Sequence, residues 1–240
     1  MPARLRYRIS GPSKMTNFQR KPDAMDFERA RFNMIEQQIR PWDVLDQDVL
    51  DLLGAVKRED FVPPAYRSLA FTDMEIPLPC GETMLSPKLE ARMLQELAVR
   101  KHEWVLEIGT GSGYVAALLG HRAAHVLSLE IHPELAESAQ QKLRHAGVTN
   151  ATVRCLDASK ELPAGEFDAI MLSGSVAQIP DALLAKLKPG GRMCAIVGDA
   201  PMMRAQLLTR TSAQESTAVD LFDTMAPRLH GFPDTPRFRF

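Results

Sequence analysis

From residue 26 the apolar positions recur at helical spacing. Phe27, Ala30, Met34 and Ile35 fall near one face and Arg29, Glu36 and Gln37 near the other, which predicts a helix stopped by Arg40-Pro41. A second helix is expected from an Asp46 cap through Val49, Leu50, Leu52 and Leu53 to Gly54. Positions 61–87 follow neither a helical nor a strand period. Because the stretch is apolar, it reads as a long functional loop rather than as disorder. Ser86 is the expected cap and Pro87 the first residue of the next helix, with Leu89, Met93, Leu94 and Leu97 as its buried stripe. Beyond residue 100 the period alternates. Strands are expected at 105–108, 125–130, 152–157, 167–172 and 192–197, helices at 114–121, 133–145 and 179–187, and a turn at 188–191. Strand-like patterns at 206–211 and 217–222 predict an antiparallel close to the sheet. This alternation argues for the α/β class: a doubly wound, mostly parallel sheet with an N-terminal helical extension.

Gly109, Gly111 and Gly113 end the strand at 105–108, and Glu107 stands two residues before the first of them. Dinucleotide folds use G-x-G-x-x-G, whose last glycine lets helix pack on strand. That position is Tyr114 here, which disfavours a pyrophosphate and with it a nicotinamide dehydrogenase. Each glycine carries an entropy cost of about 0.5–1 kcal/mol that a plain turn need not incur, so a ligand is expected. Ligands of open α/β sheets bind beyond the carboxyl ends of the strands, where Glu107, Glu130, Asp157 and Ser173 are the polar candidates. Glu130 follows Gly113 by seventeen residues, the spacing that brings a carboxylate opposite the first turn to accept from both hydroxyls of a ribose. A solvated strand-end acid is the plain alternative. Asp168, inside an apolar strand, reads as structural or supporting.

Composition narrows the class further. The formal charge of −1 creates no global field toward nucleic acid or membrane. There is no apolar run of about 18 residues and no signal-peptide core, so a soluble cytoplasmic protein is expected. Cys80, Cys155 and Cys194 form no C-x-x-C and read as small core residues in a reducing cytosol. Residues 1–24 carry Arg4, Arg6, Arg8, Lys14, Arg20 and Lys21 against Asp23. They read as a basic, poorly ordered tail, with a nucleic-acid arm or a start at Met15 or Met25 as alternatives.

The string E-x-G-x-G-x-G over 107–113 resembles the first motif of S-adenosylmethionine-dependent methyltransferases of the Rossmann-like class. More narrowly, MIEQQI (34–39), REDFVP (58–63), GET (81–83), VLEIGTGSGY (105–114), FDAI (167–170) and LKPGG (187–191) occur in the order seen in protein-L-isoaspartate O-methyltransferases. The resemblance covers about residues 25–210. It implies a Rossmann-like methyltransferase domain over 25–240, with N-terminal helices and substrate loop at 25–100, a cofactor core at 101–200 and C-terminal strands at 201–240. It implies S-adenosyl-L-methionine as cofactor, with S-adenosyl-L-homocysteine as product. Glu107, Gly109, Thr110, Gly111, Gly113 and Glu130 would hold it, with Asp157 and Ala158 at the adenine edge and no metal. The implied activity is methylation of the α-carboxylate of isoaspartyl residues in damaged proteins or peptides, the first step of repair.

In that family the substrate loop reads roughly Gly-Gln-Thr-Ile-Ser-x-Pro, where this chain has GETMLSP at 81–87. Thr83 matches the family threonine, Leu85 stands in place of the serine, and Glu82 replaces the glutamine. Thr83 and Ser86 are therefore the expected catalytic residues, Ser86 by a small shift of the loop or else only as a helix cap. A Glu82 carboxylate facing the pocket would repel an anionic substrate. Two alternatives follow: a related methyltransferase with another substrate, and a cofactor-binding protein without activity. No general base is needed, since a carboxylate with a reference pKa of about 4 is already ionised. The work is to aim one oxygen.

Overall fold

The computed structural model describes residues 26–212 and 215–234, so the expected basic tail lies outside the described residues. Asp26 caps the first helix, its Oδ1 accepting from the Arg29 N–H at 3.1 Å. This helix, α1 (Phe27–Met34), passes into a π-turn at Ile35–Ile39 before Pro41 ends the run in a 3-10 turn at Arg40–Trp42. Of the expected face, Met34 and Ile35 are buried and Phe27 and Ala30 pack half-buried against the same core. α2 (Gln47–Ala55) starts on Asp46, whose Oδ1 accepts from Asp48 and Val49, and it runs one residue past Gly54, the expected stop.

The 61–87 stretch is more regular than its sequence predicts. It holds 3-10 turns at Pro64–Leu69 and Pro79–Gly81, and β1 (Ile76–Pro77) pairs antiparallel with β2 (Thr83–Met84). Arg58, 0 % exposed, organises it. Its Nε donates to the Ala70 carbonyl at 2.9 Å and its Nη2 to the Leu85 carbonyl at 2.7 Å, while Nη1 pairs with Glu90 of α3 (Pro87–Leu97). Buried loop carbonyls that would otherwise lack partners thus find one donor group. Ser86 occupies the N-cap position of α3, but its hydroxyl makes no cap hydrogen bond. The Leu89 N–H that a capping hydroxyl would serve is already taken by the Ser86 carbonyl at 3.1 Å.

The remaining strands are β3 (Trp104–Ile108), β4 (His125–Glu130), β5 (Ala151–Cys155), β6 (Phe167–Val176), β7 (Leu187–Asp199), β8 (Met202–Arg210) and β9 (Ser216–Thr224). They form one sheet in the order β5-β4-β3-β6-β7-β8-β9, parallel through β7 and closed by two antiparallel strands. Along β3 and β6 alternate residues enter two apolar clusters. Val105, Ala169 and Met171 face one; Leu106, Ile170 and Leu172 face the other. That alternation is what a sheet covered on both faces requires. The expected Rossmann-like α/β architecture is the one observed.

Several local expectations are corrected. The helix expected at 179–187 shrinks to α6 (Asp181–Leu184), because Pro180 sets its start and Leu187 is drawn into pairing with Phe167. The 188–191 turn is a bulge inside β7, across which the register jumps from Phe167–Leu187 to Ala169–Arg192. β5 stops two residues short of Asp157. Cys80 and Cys155 are exposed, and only Cys194 is a core residue; Cys155 ends an edge strand whose outer face meets solvent. Asp168 is structural: its Oδ2 accepts from the Trp104 N–H and from Lys188 Nζ, each at 2.8 Å, at the amino end of β6.

Candidate active site

The sheet order reverses between β3 and β6, which opens a crevice at the carboxyl ends of the strands. The glycine turn between β3 and α4 (Tyr114–Arg122) forms one wall. Its φ angles are +91° at Gly109, +50° at Gly111 and +86° at Gly113, a region that side chains with a Cβ disfavour. A Cβ at Gly109 would meet Leu229 at 2.8 Å, and one at Gly113 would meet Ala139 at 3.0 Å. Gly113 thus serves the approach of α4 to α5 (Pro133–His145), whereas Gly109 and Gly111 line the crevice.

Strand ends supply the polar groups. Glu130 Oε2 accepts from the Gly111 N–H at 2.8 Å and its Oε1 from the His132 N–H at 3.0 Å. The carboxylate is thereby fixed against the glycine turn, with further lone pairs on each oxygen. Thr110 Oγ1 and Ser128 Oγ lie 2.5 Å apart, and Ser128 in turn donates to Glu107 at 2.6 Å. Glu107 is fully buried and also accepts from Ser173 Oγ at 2.8 Å. Burial pushes its carboxyl up to about 8, the two serine hydroxyls pulling the other way and the Glu130 and Glu90 carboxylates adding to the rise. Asp157 follows β5, its Oδ1 accepting from the Ser159 N–H and hydroxyl. Lys160, hydrogen-bonded at 2.7 Å, holds its carboxyl below the usual range with help from Ser159.

Two connected spaces result. A cleft open to solvent is bordered by Thr83, Gly109, Gly111, Glu130, Asp157 and Ala158. A smaller, tighter chamber is lined by Thr83, Leu85, Glu90, Glu107, Thr110 and Ser112, among others. Thr83 borders both, and its hydroxyl is buried without a hydrogen-bond partner among the described residues. Of the expected site residues, Ser86 and Gly113 border neither space. The chemistry fits a nucleoside-bearing cation: a buried carboxylate in the chamber, a second fixed at the glycine turn, and apolar walls from Ile108, Leu129 and Leu156.

One wall has no signal in the sequence pattern. Residues 227–232 cross the ends of β3 and β6, with the Leu229 N–H donating to the Ser175 carbonyl at 2.9 Å and the Ser175 N–H to Pro227 at 2.7 Å. Arg228 anchors the segment to Asp199 at 2.6 Å. Glu82 does face the cleft, but its Oε1 lies 3.0 Å from His132 Nε2 and 2.8 Å from His230 Nε2.

Known proteins share both the sequence and the architecture. Residues 29–226 match the family model described as Protein-L-isoaspartate(D-aspartate) O-methyltransferase (PCMT). A protein-L-isoaspartate O-methyltransferase of Koribacter versatilis is 39% identical over 80% of this chain and 86% of its own length. One of Brucella anthropi is 36% identical over 86% of this chain and 95% of its own. Among solved structures, a putative protein-L-isoaspartate O-methyltransferase of Plasmodium falciparum, in complex with S-adenosyl-L-homocysteine, superposes with a TM-score of 0.74. At 16% identity, over 87% of this chain and all of that one, it shows the shared fold. The matched sequence runs from the first helix through the last strand, and on it the chain belongs to the protein-L-isoaspartate(D-aspartate) O-methyltransferase family.

Proposed function

We propose that this chain transfers a methyl group from S-adenosylmethionine to the carboxylate of isoaspartyl residues in damaged proteins or peptides. The observation that carries the reading is the Thr83 hydroxyl, buried and unpartnered where the cleft and the chamber meet. A buried hydroxyl without a partner is costly unless a ligand completes it. S-adenosylmethionine, when bound, supplies a sulfonium methyl as the electrophile. Glu107 then faces the ammonium of its methionine part, and Glu130 accepts from the ribose hydroxyls. Gly109 and Gly111 admit close approach of the backbone, while Asp157 and Ala158 border the adenine. Thr83 holds one oxygen of the substrate carboxylate so that the other is aimed at the methyl. Leu85 fills its loop position with a buried apolar side chain. Ser86 lines neither space and is given no part in this reading. The exposed free thiols of Cys80 and Cys155 suit a reducing cytoplasm. No helix among the described residues is long and apolar enough to cross a membrane.

The reaction product decides the reading. Labelled methyl incubated with the chain and an isoaspartyl peptide is expected in a carboxyl ester that releases methanol in mild base; label in base-stable form would contradict carboxyl transfer.

Thr83→Val keeps the side-chain shape and removes only the hydroxyl. It is expected to lower kcat/KM on isoaspartyl peptide by about ten- to a hundredfold, the equivalent of roughly 1.5–3 kcal/mol for a hydrogen bond to a charged group. The thermal midpoint should hold or rise, because no internal bond is lost. An unchanged kcat/KM would remove Thr83 from the reaction.

Glu107 gives the site a pH dependence. The folded carboxyl keeps its proton up to about pH 8, whereas the unfolded one releases it near 4.5. Its contribution to stability is therefore complete below about 4.5 and is lost as pH rises toward 8. A bound ammonium prefers the carboxylate, so affinity for S-adenosylhomocysteine is expected to rise with pH below 8, by at most about tenfold per unit. Calorimetric titrations of wild type and Glu107→Gln at pH 6.5 and 8.5 check this. The variant should bind weakly with a flat profile, and an equal slope in both would exclude Glu107.

A further inference from the structure

The substitution of Glu82 for the family's glutamine places a carboxylate between two imidazoles. Its Oε1 lies 3.0 Å from Nε2 of His132 and 2.8 Å from Nε2 of His230, and the two rings stand at 83° with centroids 6.1 Å apart. The three candidate ligand atoms all fall within 4.8 Å of one another. We propose that Glu82, His132 and His230 form a binding site for one divalent transition-metal ion of the zinc type.

The donor chemistry is that of such ions. Two imidazole nitrogens and one carboxylate oxygen make a three-ligand set that leaves positions for water or substrate. With ligand bonds of about 2.0–2.2 Å, tetrahedral geometry separates ligand atoms by roughly 3.4 Å. The two Glu82–histidine separations of 2.8 and 3.0 Å therefore need to open by about half an ångström on metal binding, and the two imidazole nitrogens, which lie within 4.8 Å of each other, to settle to the same spacing. Side-chain rotation supplies that.

Each ligand stands on a fixed backbone, although the three come from distant parts of the chain. The Glu82 carbonyl accepts from the Leu78 N–H at 2.8 Å across the β1–β2 turn. The His132 N–H donates to Glu130, and His230 follows Leu229, whose N–H is bound to Ser175. Relative exposures of 20, 30 and 62 % for the Glu82, His132 and His230 side chains give an ion a path from solvent. Such preorganisation lowers the cost of assembling a site.

An ion here would tie the substrate loop to the C-terminal segment across the mouth of the cleft, since Glu82 and His230 both border it. It would also replace the negative charge that Glu82 presents to an anionic substrate with a net positive one. The site stands apart from the methyl-transfer reading and is tested without activity.

Cobalt(II) is the probe, titrated into the chelator-stripped full chain and followed by its visible absorption, with zinc as competitor. The expected result is a band that saturates at one equivalent, is displaced by zinc, and weakens at least about tenfold in apparent affinity in His230→Gln and Glu82→Gln. His145→Ala, whose ring lies in a separate groove, should bind as wild type does. His230 is exposed, so its variant should fold, and a circular-dichroism melt confirms that. No visible band, a band unchanged in His230→Gln, or one equally lost in His145→Ala would overturn the proposal and leave the three residues as a hydrogen-bonded cluster.

Discussion

Arg58→Met is expected to cost the fold about 3–5 kcal/mol, the usual loss when one partner of a buried ion pair is removed. Arg58 is fully buried, and its guanidinium serves Glu90, the Ala70 carbonyl and the Leu85 carbonyl together while lying 4.9 Å from the Tyr114 ring. Methionine recovers the apolar stem and none of these bonds. Burial already pushes the Glu90 carboxyl up to about 7 against the pull of Arg58. Without Arg58 it takes a proton at neutral pH, and two loop carbonyls lose their donor. Because Leu85 lies beside Thr83 in the loop proposed to hold the substrate, activity should fall even where the variant remains folded. Urea unfolding of wild type and variant measures the loss; a difference under about 1 kcal/mol would show that the loop does not depend on this hub.

Glu130→Ala is the second large effect, read in binding, with a smaller loss of stability from the two backbone N–H groups it leaves unpaired. Both carboxylate oxygens are held by backbone N–H groups of Gly111 and His132, which orients them at the rim of the cleft. Two hydrogen bonds from a ribose to a charged acceptor contribute about 1.5–3 kcal/mol each, so affinity for S-adenosylhomocysteine should fall by about a hundredfold or more. Glu130→Gln, which keeps one acceptor oxygen, should lose less. Calorimetric titration gives the constants and a thermal melt confirms folding. A loss of under about threefold in the alanine variant would place the ribose elsewhere.

The central strand, the glycine turn and the Glu130 spacing were legible because each rests on local chemistry. An apolar run reads as a buried strand, a glycine as a positive φ, and a βα repeat length as a fixed return distance. The same holds for the Asp46 cap. What was not legible depends on distant partners. Nothing near Arg58 marks it as buried, because Glu90 and the carbonyls it serves lie 12 to 32 residues away. The cleft wall at 227–232 has no periodic pattern, since backbone bonds to Ser175 and the Arg228–Asp199 ion pair hold it together with isolated contacts of Leu229 and Phe232. Cys155 looked like a core residue because its strand is apolar in type, yet that strand is the sheet edge. The helix formers around Leu187 predict the end of a helix there, but pairing with Phe167 overrides them.

Labelled methyl transfer from S-adenosylmethionine to an isoaspartyl peptide and to its ordinary aspartyl twin decides whether the chain is an isoaspartyl carboxyl methyltransferase. The two peptides differ only in which carboxylate the backbone uses, so the comparison isolates what the loop at 81–87 and Thr83 are held to recognise. Label entering the isoaspartyl peptide, with the aspartyl twin at the no-peptide background, is the result predicted. Equal labelling of both, or labelling of neither by a chain that still binds S-adenosylhomocysteine, would contradict it.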